Sequence, residues 1–437
     1  MSADTHREPI LPPGPETPFT PDTNEATFAA IPLWLAAHGD VVRLPSEGRR
    51  HDSYLLNDAD AIRHVLVKNH ANYRKGPGFN RVKMLLGNGI IVSDGAFWRR
   101  QRRLIQPAFN RKVLARMLRF VQQANAARCE RWQALADAGA VIDVTTEAAD
   151  LSLEVILRTL FGEDFDRLTD QQGGNPFAFL TEDLTRDMQV VLRFRGLMKL
   201  MQDLIHWRRE TRPERDDFLA MFLDARDRDT GEAMSDKELI DELMTFIIAG
   251  HETSAITLNW TWYFLARHPE EAERARAEIL SVTGGAMPGY EQLGRFERIR
   301  RVVSEALRLY PPVWLFSRTA IGDDRIGDYA IPAGTDLFIS PYYLHRHPAH
   351  WPDAEAFDPD RFAPEAEKAR HPTAYIPFSA GPRRCIGDVF AMLEMQLHFG
   401  LMLPRFSLEY RDEQPLELEP FINLRTRHNL RYRITPV

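Results

Sequence analysis

One stretch constrains this chain more than any other: Phe378-Ser379-Ala380-Gly381-Pro382-Arg383-Arg384-Cys385-Ile386-Gly387. Its cysteine is one of only two in 437 residues. Gly381-Pro382 marks a tight turn. The apolar residues that follow, Val389, Phe390, Leu393, Leu397 and Leu401, predict a buried helix. A lone cysteine therefore stands where a turn feeds a helix N-terminus. The helix dipole and free backbone N–H groups there favour a thiolate. Gly387 has no Cβ and lets a flat group come close to the backbone. Phe378 is placed to wall the sulfur off from water.

The stretch resembles the haem-binding loop of the cytochrome P-450 superfamily, Phe-x-x-Gly-x-Arg-x-Cys-x-Gly, and matches it at every fixed position. The resemblance implies that Cys385 is the axial thiolate on haem iron, whose electron donation favours O–O cleavage. The plain alternative is a buried structural cysteine. The length of the motif sets that aside, as do three further signatures in the family's order.

The first is a helix predicted over Ala96–Gln106 and stopped by Pro107. Phe97, Leu104 and Ile105 share its core-facing arc, and Trp98 and Arg102 are i,i+4 neighbours at the edge. Arg99, Arg100 and Arg103 fan over the opposite arc. The resemblance places Trp98 and Arg102 on a haem propionate. Indole N–H and guanidinium are donors without acceptors, which suits a buried carboxylate.

The second is a long helix. Ser235-x-x-Glu238 is a capping box, nothing breaks the pattern before Ala266, and His268-Pro269 ends it. At 1.5 Å per residue the rod is about 45 Å long. Ala249-Gly250-His251-Glu252-Thr253-Ser254 lies at its centre. Ala249 and Gly250 leave room for a flat cofactor, and a mid-helix Thr can bond back to the carbonyl four residues earlier. The segment resembles the family's oxygen-binding motif, which implies that Glu252 and Thr253 deliver protons to bound oxygen.

The third is Glu305-x-x-Arg308 with Phe357-Asp358-Pro359-Asp360-Arg361-Phe362 downstream. An i,i+3 Glu–Arg pair alone is an ordinary surface pair. Together the two resemble the family's buried Glu–Arg–Arg network, with Asp360 departing from the usual Glu. Glu305, Arg308 and Arg361 are read as structural. Arg318 and Arg383 match further propionate donors by family position.

The implied fold is mainly α with small antiparallel β-sheets, one large domain over 1–437 with an extended lead-in at 1–21. Hydrophobic content of 44% supports such a core. Elsewhere, Val41–Leu44 and Ser53–Leu56 predict a hairpin, and Asn57 or Asp58 caps a helix through Ile62, Val65 and Leu66. Tyr73–Asp94, rich in glycine, reads as a long loop, which in the family covers the substrate. Helices are predicted over Arg111–Ala136 and Thr146–Phe161. Two amphipathic helices around Gly196, within Phe177–Arg209, would form a lid. Arg325–Ser340 reads as a strand pair turning at Gly327-Asp328, and Phe406–Tyr410 and Leu430–Ile434 as terminal strands.

Net charge is −7, so no global attraction to nucleic acid or anionic membrane is expected. Two cysteines suit a reducing cytosol. No apolar run reaches the roughly 18–20 residues that span a bilayer. The polar segment Met1–Glu8 resembles neither signal peptide nor anchor, which implies a soluble, bacterial-type, cytoplasmic member.

The resemblance implies a monooxygenase containing haem b that inserts one atom of O₂ into a C–H or C=C bond. Electrons would come from a separate ferredoxin or flavodoxin with its NAD(P)H reductase. A peroxide-driven haem-thiolate enzyme and a non-enzymatic haem sensor are the alternatives. By family position the pocket is lined by Val313, Trp314, Leu315, Phe316, Phe421 and Ile422, with part of Phe79–Ile91. These are apolar, so an apolar substrate is expected, fatty-acyl or terpenoid. Lys75, Arg81, Lys83, Arg193, Arg195 and Lys199 offer cations for a carboxylate tail. Between Asp94 and Glu130 no acidic residue occurs, while Arg99, Arg100, Arg102, Arg103, Arg111, Lys112, Arg116, Arg119 and Arg128 do. No nucleic-acid reader motif accompanies them. Helical geometry turns Arg99, Arg100 and Arg103 away from the core; the resemblance implies that this face lies near the thiolate side of the haem, beside Arg384, where an acidic electron carrier would dock.

Overall fold

The computed structural model describes residues 10–48, 50–181, 188–411 and 415–437. The chain is mainly helical with small sheets. Its packing has two centres, each assembled from separated stretches. One takes residues up to Val82, Leu307–Cys385 and Leu418–Arg425; the other takes Lys83–Ala306, Ile386–Glu417 and Thr426–Val437.

The first unit is built on a five-stranded sheet. Val41–Leu44 and Ser53–Leu56 form the expected hairpin. Ser53–Leu56 then pairs in parallel with Asp336–Ile339, so this sheet is mixed rather than purely antiparallel. Phe316–Ala320 and Tyr73–Lys75 complete it, both antiparallel to their neighbours. The period of two in Val42 and Leu44 puts both side chains inside with Ile31, Leu55, Trp314, Leu315 and Phe338. Leu56, Ile62, Val65, Leu337 and Ile339 make a second cluster. Asp58 caps the helix Ala59–Arg63 through Ala61 N, and His64–Lys68 continues as one π-type turn. The turn at Gly327, φ +58°, joins Asp324–Ile326 to Tyr329–Ile331.

The second unit is helical around Asp236–Arg267, the predicted long helix, 32 residues with both halves of the capping box formed. Arg111–Asp137, Val144–Phe161 and Asp388–Met402 are the other long helices at its core. The strands Val141–Asp143, Arg431–Pro436 and Phe406–Tyr410 form its small sheet. Trp262 Nε1 donates to His398 Nε2 at 2.9 Å, and the other ring nitrogen of His398 meets Asn125 Oδ1. Burial drives the His398 pKa down to about 3, so the ring stays neutral in the core.

Three sequence expectations change. The loop expected over Tyr73–Asp94 holds the strand Tyr73–Lys75 and the helix Phe79–Leu86; its glycines flank these elements, and the strand's partner is remote in sequence. One helix, Met188–Thr211, runs straight through Gly196 where two were expected. A single exposed glycine costs only about 1 kcal/mol. The helix Glu25–His38, with Pro32 inside it, falls where no element was predicted. Asn24 accepts from Thr27 N and starts it.

Candidate active site

The cysteine loop belongs to the first unit and is closed by its own backbone. Cys385 N donates to Phe378 O at 2.9 Å, Arg384 N to Gly381 O at 3.0 Å and Ser379 N to Ile376 O at 3.0 Å. Ile376 N donates to His345 Nε2 at 2.9 Å, which anchors the loop's entry. Gly381 has φ +70°, and a Cβ there would lie 1.9 Å from the Leu66 carbonyl oxygen of the π-type turn. Only glycine fits. The following helix starts at Asp388 with Gly387 as its N-cap.

Cys385 is exposed. A reachable thiol on a loop fixed by three backbone bonds fits a single thiolate ligand to a haem iron. Cys129, the other cysteine, is half-buried on Arg111–Asp137, and burial raises its pKa. Among the described residues no three His, Cys, Asp or Glu side chains gather as a protein-only metal cage.

Arg383 lies in the turn Gly381–Arg383 of the same loop. Arg318, on the strand Phe316–Ala320, is buried, stacks over the Phe316 ring and donates to Ser317 O. Arg308 is fully buried and donates to the carbonyls of His345, Ala354 and Ala356 at 2.7–3.0 Å. Arg361 donates to those of Pro352 and Asp353. The two arginines thereby fix the irregular segment upstream of the cysteine loop. Glu305, one turn before Arg308 on Glu297–Leu309, is fully buried.

Of the expected pocket residues, Trp314 has no exposed surface, and Leu315 and Phe316 are buried in the first unit's two cores. Trp314 Nε1 donates to Phe421 O at 2.7 Å, so its part is to hold that turn. Trp314, Leu315 and Phe316, expected to line the pocket, thus have little or no surface open to solvent. Val313, Phe421 and Ile422 are the ones that remain exposed, at 36%, 52% and 57%.

In the second unit, Thr253 Oγ1 donates to Ala249 O at 2.8 Å. Thr257 repeats this toward Thr253 O and Thr261 toward Thr257 O, a ladder of hydroxyls on one helix stripe. The long helix is buried over Asp241–Ile247 and again from Ser254, but Ile248, Ala249, Gly250, Glu252 and Thr253 are half-exposed between. Gly250 does not face this gap. A Cβ on it would lie 3.1 Å from Ile156 Cδ1, so its smallness serves packing against Val144–Phe161 rather than a cofactor.

The predicted helix before Pro107 spans Gly95–Ile105. Leu104 and Ile105 are buried, Phe97 only in part, and Gln101 is buried with them. Trp98 and Arg102 are half-buried. The basic stretch is largely paired. Arg100 bonds Glu238 and Ala233 O. Arg103 meets Asp227 and Asp229, Arg116 and Arg119 meet Asp216, and Arg128 meets Glu147. Arg99, Arg111 and Lys112 stay exposed. Of the three arginines expected at a docking face, Arg100 and Arg103 have acidic partners from distant segments, Arg103 remains exposed, and so does Arg99.

Sequence reasoning missed two buried acids in this unit. Glu394 accepts from Ser254 Oγ at 2.9 Å. Glu242 accepts from Ile90 N at 2.9 Å. The signal for the second was Asp241-Glu242 inside an otherwise apolar helical run.

An accessible thiol on a loop fixed by its own backbone is what a thiolate ligand to haem iron requires. The cytochrome P-450 family profile matches residues 36–434, and the chain belongs to that family. Cyclooctatin synthase of Streptomyces melanosporofaciens is 35% identical over 391 residues, covering 86% of this chain and 84% of that one. Pentalenene oxygenase of Streptomyces avermitilis is 32% identical, covering 92% and 91%. The heme domain of cytochrome P450DA superposes with a TM-score of 0.82 at 28% identity, covering 91% of this chain and 89% of that one. The chain is a monooxygenase that binds haem iron through a cysteine thiolate and takes O₂ and electrons from a redox partner. Among the described residues no helix is long and apolar enough to cross a membrane.

Proposed function

We propose that this enzyme oxidises an apolar terpenoid, using haem b held by Cys385. The observation that carries the substrate class is the similarity to pentalenene oxygenase, cyclooctatin synthase and cyclooctat-9-en-7-ol 5-monooxygenase, at 31–35% identity. A fatty-acyl substrate is the second reading: leukotriene-B4 omega-hydroxylase 3 of Mus musculus is 33% identical, and of the cations proposed for a carboxylate tail, two stack on rings and three are exposed. Lys75 sits over the Phe79 ring at 4.1 Å and Arg193 over Phe179. Lys83, Arg195 and Lys199 are exposed. Arg81 lies on Phe79–Leu86, but its side chain is outside the described residues.

When bound, haem supplies the oxygen chemistry itself. The chain supplies the rest. Trp98, Arg102, Arg318 and Arg383 would donate to the propionates, and Phe378 would shield the sulfur. Thr253 Oγ1 gives its hydrogen to Ala249 O, which leaves its lone pairs to accept from a neighbouring donor. Glu252, half-exposed one residue earlier, would refill that donor with protons from solvent. Val313, Phe421 and Ile422 would meet the substrate with apolar surface. Electrons would come from a ferredoxin or flavodoxin with its NAD(P)H reductase. Arg99, Arg111 and Lys112, with the ion-paired but exposed Arg103, Arg116 and Arg119, are cations of the basic stretch that would steer such a carrier.

The test is oxygen and NADPH consumption with surrogate ferredoxin partners, compared with peroxide alone, after a terpenoid and fatty-acid library is screened for shifts of the Soret band. Terpenoid hydrocarbons that shift the band and become oxygenated support the reading. Fatty acids as the tightest binders would overturn the substrate class, and turnover with peroxide alone would overturn the electron route.

A further inference from the structure

Within the second unit, Gly87–Ser93 forms a strap laid on the long helix with no space beneath it. Gly87 has φ +69°, and a Cβ on it would lie 2.1 Å from Asp241 Oδ1. A Cβ on Gly89 would lie 2.1 Å from Thr245 Oγ1 and 2.7 Å from Asp241 O. Asn88 N donates to Asp241 Oδ2 and Ile90 N to Glu242 Oε2, both at 2.9 Å. Val92 N and Ser93 N both donate to Gly89 O, which folds the strap's end. Ile90 and Val92 are buried.

The two carboxylates beneath differ in kind. Asp241 is served by Asn88 N and by Lys237 Nζ at 2.7 Å, a site for an ion. Glu242 has no exposed surface, one oxygen bonded to the strap and the other, Oε1, without a hydrogen-bond partner. An ionised carboxylate so placed is costly. Burial, with Asp241 and Glu238 adding to it and the Ile90 N–H opposing, pushes its pKa up to about 8. The charges around it are otherwise spoken for. Glu238 pairs with Arg100 of Gly95–Ile105. Asp236 pairs with Arg209 and His206 of Met188–Thr211. The strap itself carries no titratable residue.

Glu242 also lies on the working stripe of the helix. Ala249 and Thr253 follow it by seven and eleven residues, and at 100° per residue each falls about 20° from Glu242, one on either side. The strap therefore covers the same helix face that opens at Ala249 and Thr253.

We propose that Glu242 is a proton-dependent latch: its neutral carboxyl holds the strap Gly87–Ser93 down on the long helix, and its ionisation releases it. The assignment of that face to substrate rests on the proposed function; the latch itself does not. When the strap lifts, Glu242 meets water and its pKa falls toward an ordinary glutamate value of about 4.3. Closure therefore takes up a proton between about pH 4.5 and 8, and the opening constant rises by up to about tenfold per pH unit across that window. Above it, both forms are ionised and the dependence ends.

The test is amide hydrogen exchange of the 87–93 peptide in the haem-loaded enzyme at pH 6 and pH 8, corrected for intrinsic exchange. The opening constant of the wild type should rise by tens of fold. In Glu242→Gln, a neutral isostere, it should be the same at both pH values and should lie tens of fold below the wild-type value at pH 6. A wild-type constant that does not change, or one that changes as much in Glu242→Gln, overturns the latch. If the variant does not fold, the two-pH comparison of the wild type decides alone. The readout is exchange in the chain itself, so it holds whether or not a terpenoid is the substrate.

Discussion

Ser254 Oγ donates to Glu394 Oε2 at 2.9 Å. The bond joins the long helix, one residue past Thr253, to the helix Asp388–Met402. Glu394 is 2% exposed. Burial pushes its pKa up to about 8, while the Ser254 and Ser152 hydroxyls pull the other way. A neutral carboxyl suits this setting: Oε2 accepts from Ser254, and Oε1 is buried without a hydrogen-bond partner.

That state makes stability depend on pH. The folded pKa lies above the unfolded value of about 4.3, so the native state holds the extra proton between the two. The stabilisation is fully present below about pH 4 and is lost as pH rises through about 8, at up to about 1.4 kcal/mol per unit. Glu394→Gln removes this group's share. Its stability should fall less than the wild type's between pH 5 and 8, measured by urea unfolding of each at both pH values. Equal losses would show that Glu394 is not the group that titrates.

Thr253→Ala removes the hydroxyl bonded to Ala249 O. The variant should bind haem and substrate but release reducing equivalents as peroxide, with product formation down by about 10²–10⁴-fold. The ratio of product to NADPH consumed checks it; an unchanged ratio would remove Thr253 from proton delivery.

Cys385→Ala should abolish the thiolate-specific band of the reduced, carbon monoxide-bound protein. Cys129→Ser, on a half-buried helical residue, should leave that spectrum intact.

Arg99 and Arg100 are adjacent in sequence and should differ in effect. Arg100→Ala loses its bonds to Glu238 and Ala233 O and should destabilise the fold by about 1–3 kcal/mol. Arg99→Glu, at an exposed site, should leave stability within about 0.5 kcal/mol. It should slow reduction by an acidic carrier, most at low salt. Stopped-flow reduction and thermal unfolding of both variants separate the two roles.

Local chemistry was legible. Ser235 and Glu238 announced their own capping box, Gly327-Asp328 its turn, and Phe406–Tyr410 its strand, because each signal lies within a few residues. The cysteine loop was legible for the same reason. What distant segments decide was hidden. The basic run after Asp94 contains no acid of its own, yet Asp216, Asp227 and Glu238 come to it in the fold. Gly250 looked like space for a cofactor until Ile156 was found against it. Trp314, expected at the pocket, also ties down Phe421 through its indole N–H. In each case a residue's neighbour, rather than its type, set its part.

Gly381 and Leu66 show how far such a neighbour reaches. A carbonyl oxygen with no part in the reaction forbids any side chain at one position of the metal-binding loop. Variation in the two segments is therefore coupled. A library randomised over 378–387 should return glycine at 381 whatever else it accepts. Any insertion that shifts the π-type turn His64–Lys68 should be recovered only with compensating change around Gly381.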